Sequence, residues 1–184
     1  MKIKRCAIAL TILVGMIVLM GPQQAGADSK KDIDRDVDAS LKKLYDDEPD
    51  AKKLAEEAKG ILVFPSMVKG GFIIGAMYGD GALRIKEKTT GYYRAVAASY
   101  GLQAGIQTFG YAVFFMKDEK LKYLDESEGW EIGGAPSLVV VNKGAAKSLS
   151  TTSLRDDIYV FFFDQTGLMA GLGLQGMKIT KIDP

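Results

Sequence analysis

The side chains that most often catalyse reactions are scarce in this 184-residue sequence. It contains no histidine, and Cys6 is its single cysteine. Histidine general bases, histidine-containing triads and histidine metal sites are therefore excluded. Adjacent carboxylates remain, such as Asp118/Glu119 and Asp125/Glu126, but neighbours in an extended strand point to opposite faces and are poorly placed to share a substrate. The sequence predicts a protein that is not an enzyme and needs no cofactor.

Two patterns resemble ligand-binding loops, and both fail in detail. Asp32-x-Asp34-x-Asp36 begins like a calcium loop, but Val37 stands where the loop needs glycine and Lys43 where it needs glutamate. Gly171-x-Gly173-x-x-Gly176 matches the dinucleotide-binding spacing. That motif must open a helix and precede an acidic residue by about 20 positions, whereas only eight residues follow Gly176. We expect neither a metal site nor a nucleotide site.

The first 27 residues have the pattern of a secretory signal peptide. Lys2, Lys4 and Arg5 precede the uncharged run Cys6–Met20, which as a helix would reach roughly 22 Å, too short for a hydrocarbon core of about 30 Å. Ala25-Gly26-Ala27 provides a small-x-small cleavage site. We expect cleavage near Ala27, a mature chain from Asp28 to Pro184 without any thiol, and a periplasmic or secreted location.

The charge balance argues against nucleic acid as a partner. Without the leader, 21 basic and 23 acidic residues remain, a formal charge of −2. Sequence-independent binding to nucleic acid depends on the release of counterions by clustered Lys and Arg. We therefore expect no nucleic-acid partner.

Glycine divides the mature chain, a single domain, into a helical segment at 28–59 and a β-rich body at 60–184. All 18 of its glycines lie from Gly60 onward. In the helical segment, Ile33, Val37 and Leu41 recur at intervals of four, which predicts an amphipathic helix, and a second helix is expected from Pro49 to Gly60. In the body, short apolar runs are separated by turn residues such as Gly79-Asp80-Gly81 and Asp164–Gly167. These spacings leave no room for crossover helices, so the fold class is α+β with a largely antiparallel sheet and two N-terminal helices.

Glycine and glutamine share one face of two predicted strands. In Gly101-Leu102-Gln103-Ala104-Gly105, leucine and alanine alternate with glycine and glutamine, and Gly167–Gly171 repeats the alternation. Such a bare face allows two interpretations: a strongly curved or barrel-like sheet, or a groove that binds a ligand. In the second case the groove would offer its ligand the amides of Gln103, Gln107 and Gln175.

Ordered sequence blocks resemble the SYLF-domain family along nearly the whole mature chain. They are Ala58–Pro65, Lys69–Gly75, Gly79–Leu83, Gly101–Gln107, Gly129–Gly133, Gly167–Gly171 and Lys178–Ile182.

The resemblance implies a lipid-binding module of mixed helix and strand. Eukaryotic relatives bind phosphoinositides and, in yeast cortical-patch proteins, actin; bacterial relatives are exported and associated with phospholipids. In relatives that bind membranes, an N-terminal amphipathic helix and basic residues take part, which here implicates Lys42, Lys43, Lys52 and Lys53. We expect an exported bacterial protein that binds phospholipid or phosphoinositide-type anionic lipid, at a membrane surface or as a bound molecule, without catalysis. Actin is not expected as a partner outside the cell. The alternative is a structural or interaction protein of the cell envelope without a lipid ligand.

Overall fold

A computed structural model of the chain describes residues 28–71, 74–100, 105–126, 130–132, 138–141, 157–167 and 177–184. Three helices lie in these ranges: α1 (Lys30–Asp47), α2 (Pro49–Glu57) and α3 (Asp118–Glu126). The strands are β1 (Gly60–Gly71), β2 (Ile74–Ile85), β3 (Lys88–Tyr100), β4 (Gly105–Phe115), β5 (Trp130–Ile132), β6 (Leu138–Val141), β7 (Ile158–Gly167) and β8 (Met177–Ile182).

The glycine-free segment forms α1 and α2. Ser29 caps α1, its hydroxyl oxygen accepting a hydrogen bond from the Asp32 amide at 3.3 Å, and Pro49 lies in the first turn of α2. Both choices satisfy or remove amide donors that a helix start leaves free. The apolar face of α1 packs against the sheet, so tertiary burial adds to the local preference of the segment.

The strands form one eight-stranded sheet in the order β5-β8-β3-β2-β1-β4-β7-β6. Every neighbouring pair is antiparallel except β6 and β7, which are parallel. The predicted α+β class with a largely antiparallel sheet is confirmed.

The sheet is not the barrel-like or strongly curved structure that the glycines suggested. Its edge strands in the described ranges, β5 and β6, do not pair, so the sheet stays open. Glycine instead allows two neighbouring strands to approach closely: a Cβ at Gly81 would stand 2.1 Å from the carbonyl oxygen of Val63, and one at Gly79 would stand 2.4 Å from the Met67 sulfur. The prediction of a barrel-like or strongly curved sheet was wrong, and most of the glycines on which it rested, at 101–105 and 167–176, lie outside the described residues.

Two predicted turns also lie inside strands. Gly79-Asp80-Gly81 is in the middle of β2. Asp164–Gly167 forms the end of β7, where a bulge begins and Asp164 adopts a φ of 53°. The turn between β2 and β3 is made by Lys86 and Glu87, with φ angles of 50° and 66°. Positive φ at both positions is the geometry of a type I′ hairpin turn, but neither residue type indicates a turn in the sequence.

The sheet separates two cores. The helix-side core lies between the sheet and α1 and α2, and the opposite-side core lies on the other face, where α3 contributes Leu124. The helix-side core contains Ile33, Val37, Leu44, Ala51, Leu54, Ile61, Val63, Ala82, Ala112, Phe114, Tyr159, Phe161 and Phe163. Of the helices in the described ranges, none is long and apolar enough to cross a bilayer.

Candidate functional site

A groove of about 660 Å³ opens between α1, α2 and the β2–β3 hairpin, and we call it the helix groove. Its walls combine aliphatic and aromatic surface with charged groups. The lining residues are Asp38, Leu41, Lys42, Tyr45, Lys52, Ala55, Glu56, Ala58, Gly60, Ile61, Arg84, Lys86 and Glu87.

Local geometry explains why α1 supplies one wall. Four residues of α1 lie three or four positions apart or are adjacent, and so share one flank of the helix: Asp38, Leu41, Lys42 and Tyr45. This flank is distinct from the face formed by Ile33, Val37 and Leu44, which points into the helix-side core. The helix therefore has one face for packing and one flank for the groove.

Arg84 joins the hairpin to α1 at the floor of the groove. One of its terminal nitrogens donates to the Asp38 carboxylate at 2.6 Å and to the Asp34 carbonyl oxygen at 3.1 Å, and the other donates to the Glu87 carbonyl oxygen at 3.4 Å. Only 10% of its side chain is exposed. Its Nε is buried without a hydrogen-bond partner, a state that costs about 1–3 kcal/mol for a polar group.

Cations outnumber acids in the groove lining by four to three. Lys42 donates to Asp46 at 2.8 Å. No ion pair of Lys52 or Lys86 occurs among the described residues, so both ammonium groups remain available. Burial raises the pKa of the Tyr45 hydroxyl to about 12, and the charge of Glu87 acts in the same direction. Tyr45 therefore stays neutral and can donate a hydrogen bond at any physiological pH.

The groove presents apolar surface and positive charge side by side. Leu41, Tyr45 and Ala55 offer apolar contact, while Lys52 and Lys86 offer positive charge beside it. In the described part of the chain, no three acidic, histidine or cysteine side chains come together in a way that could hold a metal ion.

The four lysines predicted as lipid contacts divide into two pairs. Lys42 and Lys52 both line the helix groove, although ten positions separate them. Lys43 lies on another flank of α1, where it contacts Asp47 at 3.6 Å and Asp164 at 3.5 Å. Lys53 points away from the groove and pairs with Asp50 at 2.9 Å.

Of the three predicted glutamines, the structure describes only Gln107, which is not among the residues that line the helix groove. Gln103 and Gln175 lie outside the described residues. Gln107 is on β4, opposite Lys69 of β1, and is only 6% exposed, with its Oε1 lacking a hydrogen-bond partner. Its neighbour Ile106 is 69% exposed. At this point the polar side chain is buried and the aliphatic one faces outward.

The apolar face of α1 is already occupied. Ile33 is 3% exposed, and Val37 and Leu44 are fully buried against the sheet. The predicted membrane-contacting helix thus uses its main apolar stripe for folding, while Leu41 remains at the groove.

The carboxylate pairs were assigned to strands, and that premise is wrong. Asp118 and Glu119 lie in the first turn of α3, and Glu126 ends it. Adjacent helical residues are about 100° apart, so the argument that they point to opposite faces does not apply. Asp118, Glu119 and Glu126 are exposed and do not line the helix groove.

Sequence reasoning missed Arg84, Lys86 and Glu87 as groove residues. Each belongs to the β2–β3 hairpin, more than 25 positions after α2, and only the packing of the hairpin against α1 brings it to the site. A sequence signal that could have identified them is the polar Arg84-x-Lys86-Glu87-Lys88 run between two apolar strands.

Comparison with known proteins concerns the C-terminal half. Residues 96–183 match the model of a protein family described as "Ysc84: Las17-binding protein actin regulator". A search of curated proteins finds no match. The matched residues begin within β3 and extend through β8, so the helix groove lies before them in the chain.

Proposed function

We propose, from the membership of residues 96–183 in the Ysc84, or SYLF-domain, family, that this protein is an exported, non-enzymatic module that binds anionic lipid. The match agrees with the family resemblance of the sequence blocks. Export is inferred from the leader, and lipid as the ligand is inferred from the resemblance together with the helix groove.

One observation carries the choice of ligand: the groove places unpaired lysines beside apolar surface. An anionic head group would lie against Lys52 and Lys86, and the adjoining glycerol and acyl carbons would contact Leu41 and Tyr45. Each lysine near an anionic lipid surface contributes about 1 kcal/mol to binding. A chain with formal charge −2 can bind such a lipid only where cations are gathered locally, as they are here.

The burial of the α1 face determines the binding mode that we propose. Inserting Ile33, Val37 and Leu44 into a bilayer would require α1 to leave the sheet. We therefore propose that lipid is held in the groove while the fold stays intact, rather than by helix insertion.

Actin is not the partner that we propose. The description of the matched family names actin regulation, but the leader predicts a location outside the cytoplasm. We likewise propose no nucleotide or nucleic-acid ligand.

Vesicle co-sedimentation of variants at two neighbouring lysines tests whether the groove is the lipid-binding site. Lys52→Glu changes a groove residue, and Lys53→Glu makes the same charge change one position away, outside the groove. Using phosphatidylcholine vesicles with and without phosphatidylglycerol at low salt, we expect Lys52→Glu to weaken binding to the anionic vesicles by about ten- to thirtyfold, since two charge units are lost at about 1 kcal/mol each. Lys53→Glu should weaken it by less than about threefold. Equal losses would mean diffuse electrostatic attraction and would refute the groove as the site.

The second candidate is a structural or interaction protein of the cell envelope, and the packing of α1 on its own sheet favours it. The same assay separates the candidates. If the unaltered protein binds neither vesicle at low salt, where attraction between charges is least screened, the lipid proposal fails and this candidate replaces it.

A further inference from the structure

The apolar surface of the helix groove is short. On α1, Leu41 and Tyr45 lie four residues apart, which is about 6 Å along the helix axis. On α2, Ala55 and Ala58 lie three residues apart, which is about 4.5 Å. Ile61 of β1 lines the same groove and is 8% exposed. We call these five side chains the apolar bed.

Charged residues limit the apolar bed on both helices. Asp38 lies about one turn before Leu41 on α1 and accepts a hydrogen bond from Arg84 at 2.6 Å. Lys52 lies about one turn before Ala55 on α2. Adding about 2 Å of side-chain thickness at each end makes the bed about 10 Å long. A hydrocarbon chain that continues past it meets charged groups or water, where it gains little from burial.

The bed therefore has room for part of one hydrocarbon chain. Such a chain advances about 1.2 Å per bond when extended, one third of the rise of an extended residue. A bed of about 10 Å thus holds about eight carbons. The groove volume of about 660 Å³ is typical of sites for one drug-sized molecule, and a phospholipid with two long chains is considerably larger.

Positive charge lies beside the bed. Lys52 and Lys86 line the same groove. Asp38, the acid next to the bed on α1, is neutralised by Arg84, whose side chain is only 10% exposed. An anionic head group joined to a short apolar chain is the ligand whose charge and shape match this arrangement.

We infer that the helix groove binds an anionic amphiphile with a single hydrocarbon chain, a fatty acid or a lysophospholipid, in preference to a lipid with two chains. This inference rests on the proposed function, because it specifies the ligand of the same groove. About eight carbons lie on the apolar bed, and the carboxylate or phosphate meets Lys52 and Lys86. A single chain holds a molecule in a bilayer only marginally and reversibly, so the groove can take such a ligand from the membrane. A lipid with two chains would leave its second chain in water.

A chain-length series tests the length of the bed. The ligands are lysophosphatidylglycerols with one chain of six, eight, ten or twelve carbons, each below its micelle concentration, and isothermal titration calorimetry at low salt measures their affinity for the purified protein. We expect the affinity to rise about three- to fourfold per added CH₂ up to about eight carbons. Beyond that length it should rise by less than about 1.5-fold per CH₂. A constant rise through twelve carbons, or no dependence on chain length, would overturn the inference.

Two ligands with the same head group separate one chain from two. Lysophosphatidylglycerol with one twelve-carbon chain and phosphatidylglycerol with two six-carbon chains have equal numbers of chain carbons. We expect the single-chain ligand to bind about tenfold more tightly, because about eight of its carbons reach the bed instead of six. Equal affinities, or tighter binding of the two-chain ligand, would overturn the inference. Dodecanoate carries the twelve-carbon chain on a carboxylate, so the tighter of the two single-chain ligands identifies the source, and binding of neither would also overturn it.

A variant that fills the bed tests its position. Ala55→Phe places a ring in the groove, and Glu57→Phe places the same ring at an exposed residue outside the groove lining. Ala55→Phe should weaken binding of the twelve-carbon lysophosphatidylglycerol at least about tenfold because the ring takes the space of the chain, whereas Glu57→Phe should not weaken it. Circular dichroism verifies the fold, and equal losses would overturn the inference. If Ala55→Phe does not fold, the chain-length series in the unaltered protein decides.

The inference and the proposed function fail in different ways. If anionic vesicles bind and Lys52→Glu weakens that binding, but one chain is not preferred over two, the proposed function stands and this inference falls. If neither the vesicles nor the single-chain ligands bind, both fall.

Discussion

Two leucines on α1 separate the role of the helix in folding from its role in binding. Leu44 is fully buried in the helix-side core, whereas Leu41 is partly buried and lines the helix groove. Leu44→Ala and Leu41→Ala remove the same three carbon atoms from the same helix. Because alanine is the best helix former, neither change should weaken the helix itself.

The expected costs differ because the surroundings differ. At Leu44, three lost carbons at about 0.8 kcal/mol each give roughly 2.4 kcal/mol, and the cavity left in the helix-side core adds to this. We expect the free energy of unfolding to fall by about 3 kcal/mol. At Leu41, solvent can fill the space from the groove, so we expect a fall of about 1 kcal/mol.

Urea unfolding followed by circular dichroism measures both costs, and vesicle co-sedimentation measures binding. At a temperature where both variants are folded, Leu44→Ala should bind anionic vesicles like the unaltered protein. Leu41→Ala should bind more weakly, by about three- to tenfold, because it removes apolar surface from the groove.

The opposite pattern would refute the reasoning. If Leu44→Ala cost less than about 1 kcal/mol and reduced vesicle binding strongly, the apolar face of α1 would act as the lipid contact, and the packed helix would not represent the binding state.

Two further predictions concern the sheet and the alkaline limit of stability. Gly81→Ala should lower the free energy of unfolding by about 3 kcal/mol, because its Cβ meets the Val63 carbonyl oxygen at 2.1 Å and only backbone movement can relieve the contact; thermal unfolding measures this, with Gly70→Ala, where the nearest atom is 3.8 Å away, as the control that should change little. Burial and the charge of Glu87 raise the pKa of Tyr45 from 10.0 in the unfolded chain to about 12 in the folded protein. The neutral Tyr45 therefore contributes fully to the free energy of unfolding below pH 10, and this contribution is lost as the pH rises from 10 to about 12, because the unfolded chain releases the proton first. Tyr45→Phe should therefore reduce the stability lost at alkaline pH by roughly 1–2 kcal/mol, allowing for partial exposure. Part of that loss should remain, because burial also raises the pKa of Tyr111. If the alkaline unfolding curve of Tyr45→Phe matched that of the unaltered protein, this assignment would be contradicted.

The helical segment was predictable because its determinants are local. The spacing of Ile33 and Val37, the cap at Ser29 and the proline at the start of α2 all act within a few residues. The antiparallel class followed from the short distances between apolar runs. These features depend on neighbours in the sequence, which a reader of the sequence can see.

The turns and the curvature were not predictable in this way. Gly79 and Gly81 suggested a turn, yet both lie in β2, where Met67 and Phe64 of β1 occupy the space of the absent side chains. The actual turn, Lys86-Glu87, contains no residue that favours positive φ. In both cases, contacts with a neighbouring strand outweigh the preference of the residues themselves.

The candidate site shows the same division. Lys42 and Lys52 were identified from the sequence as basic residues of the helical segment, but Lys43 and Lys53 were indistinguishable from them there. The helix rotation and the hairpin separate the two pairs, with Lys43 held by Asp164 and Lys53 by Asp50.

The sequence by itself determined the absence of histidine chemistry, the charge balance, the helical segment and the antiparallel class, since composition and short-range periodicity are sufficient for these. Only the tertiary structure decided that Arg84 and Lys86 line a groove beside α1 and that Gln107 is buried while Ile106 is exposed. Each of these depends on strand register and on the angle of packing, which arise from many distant contacts acting together.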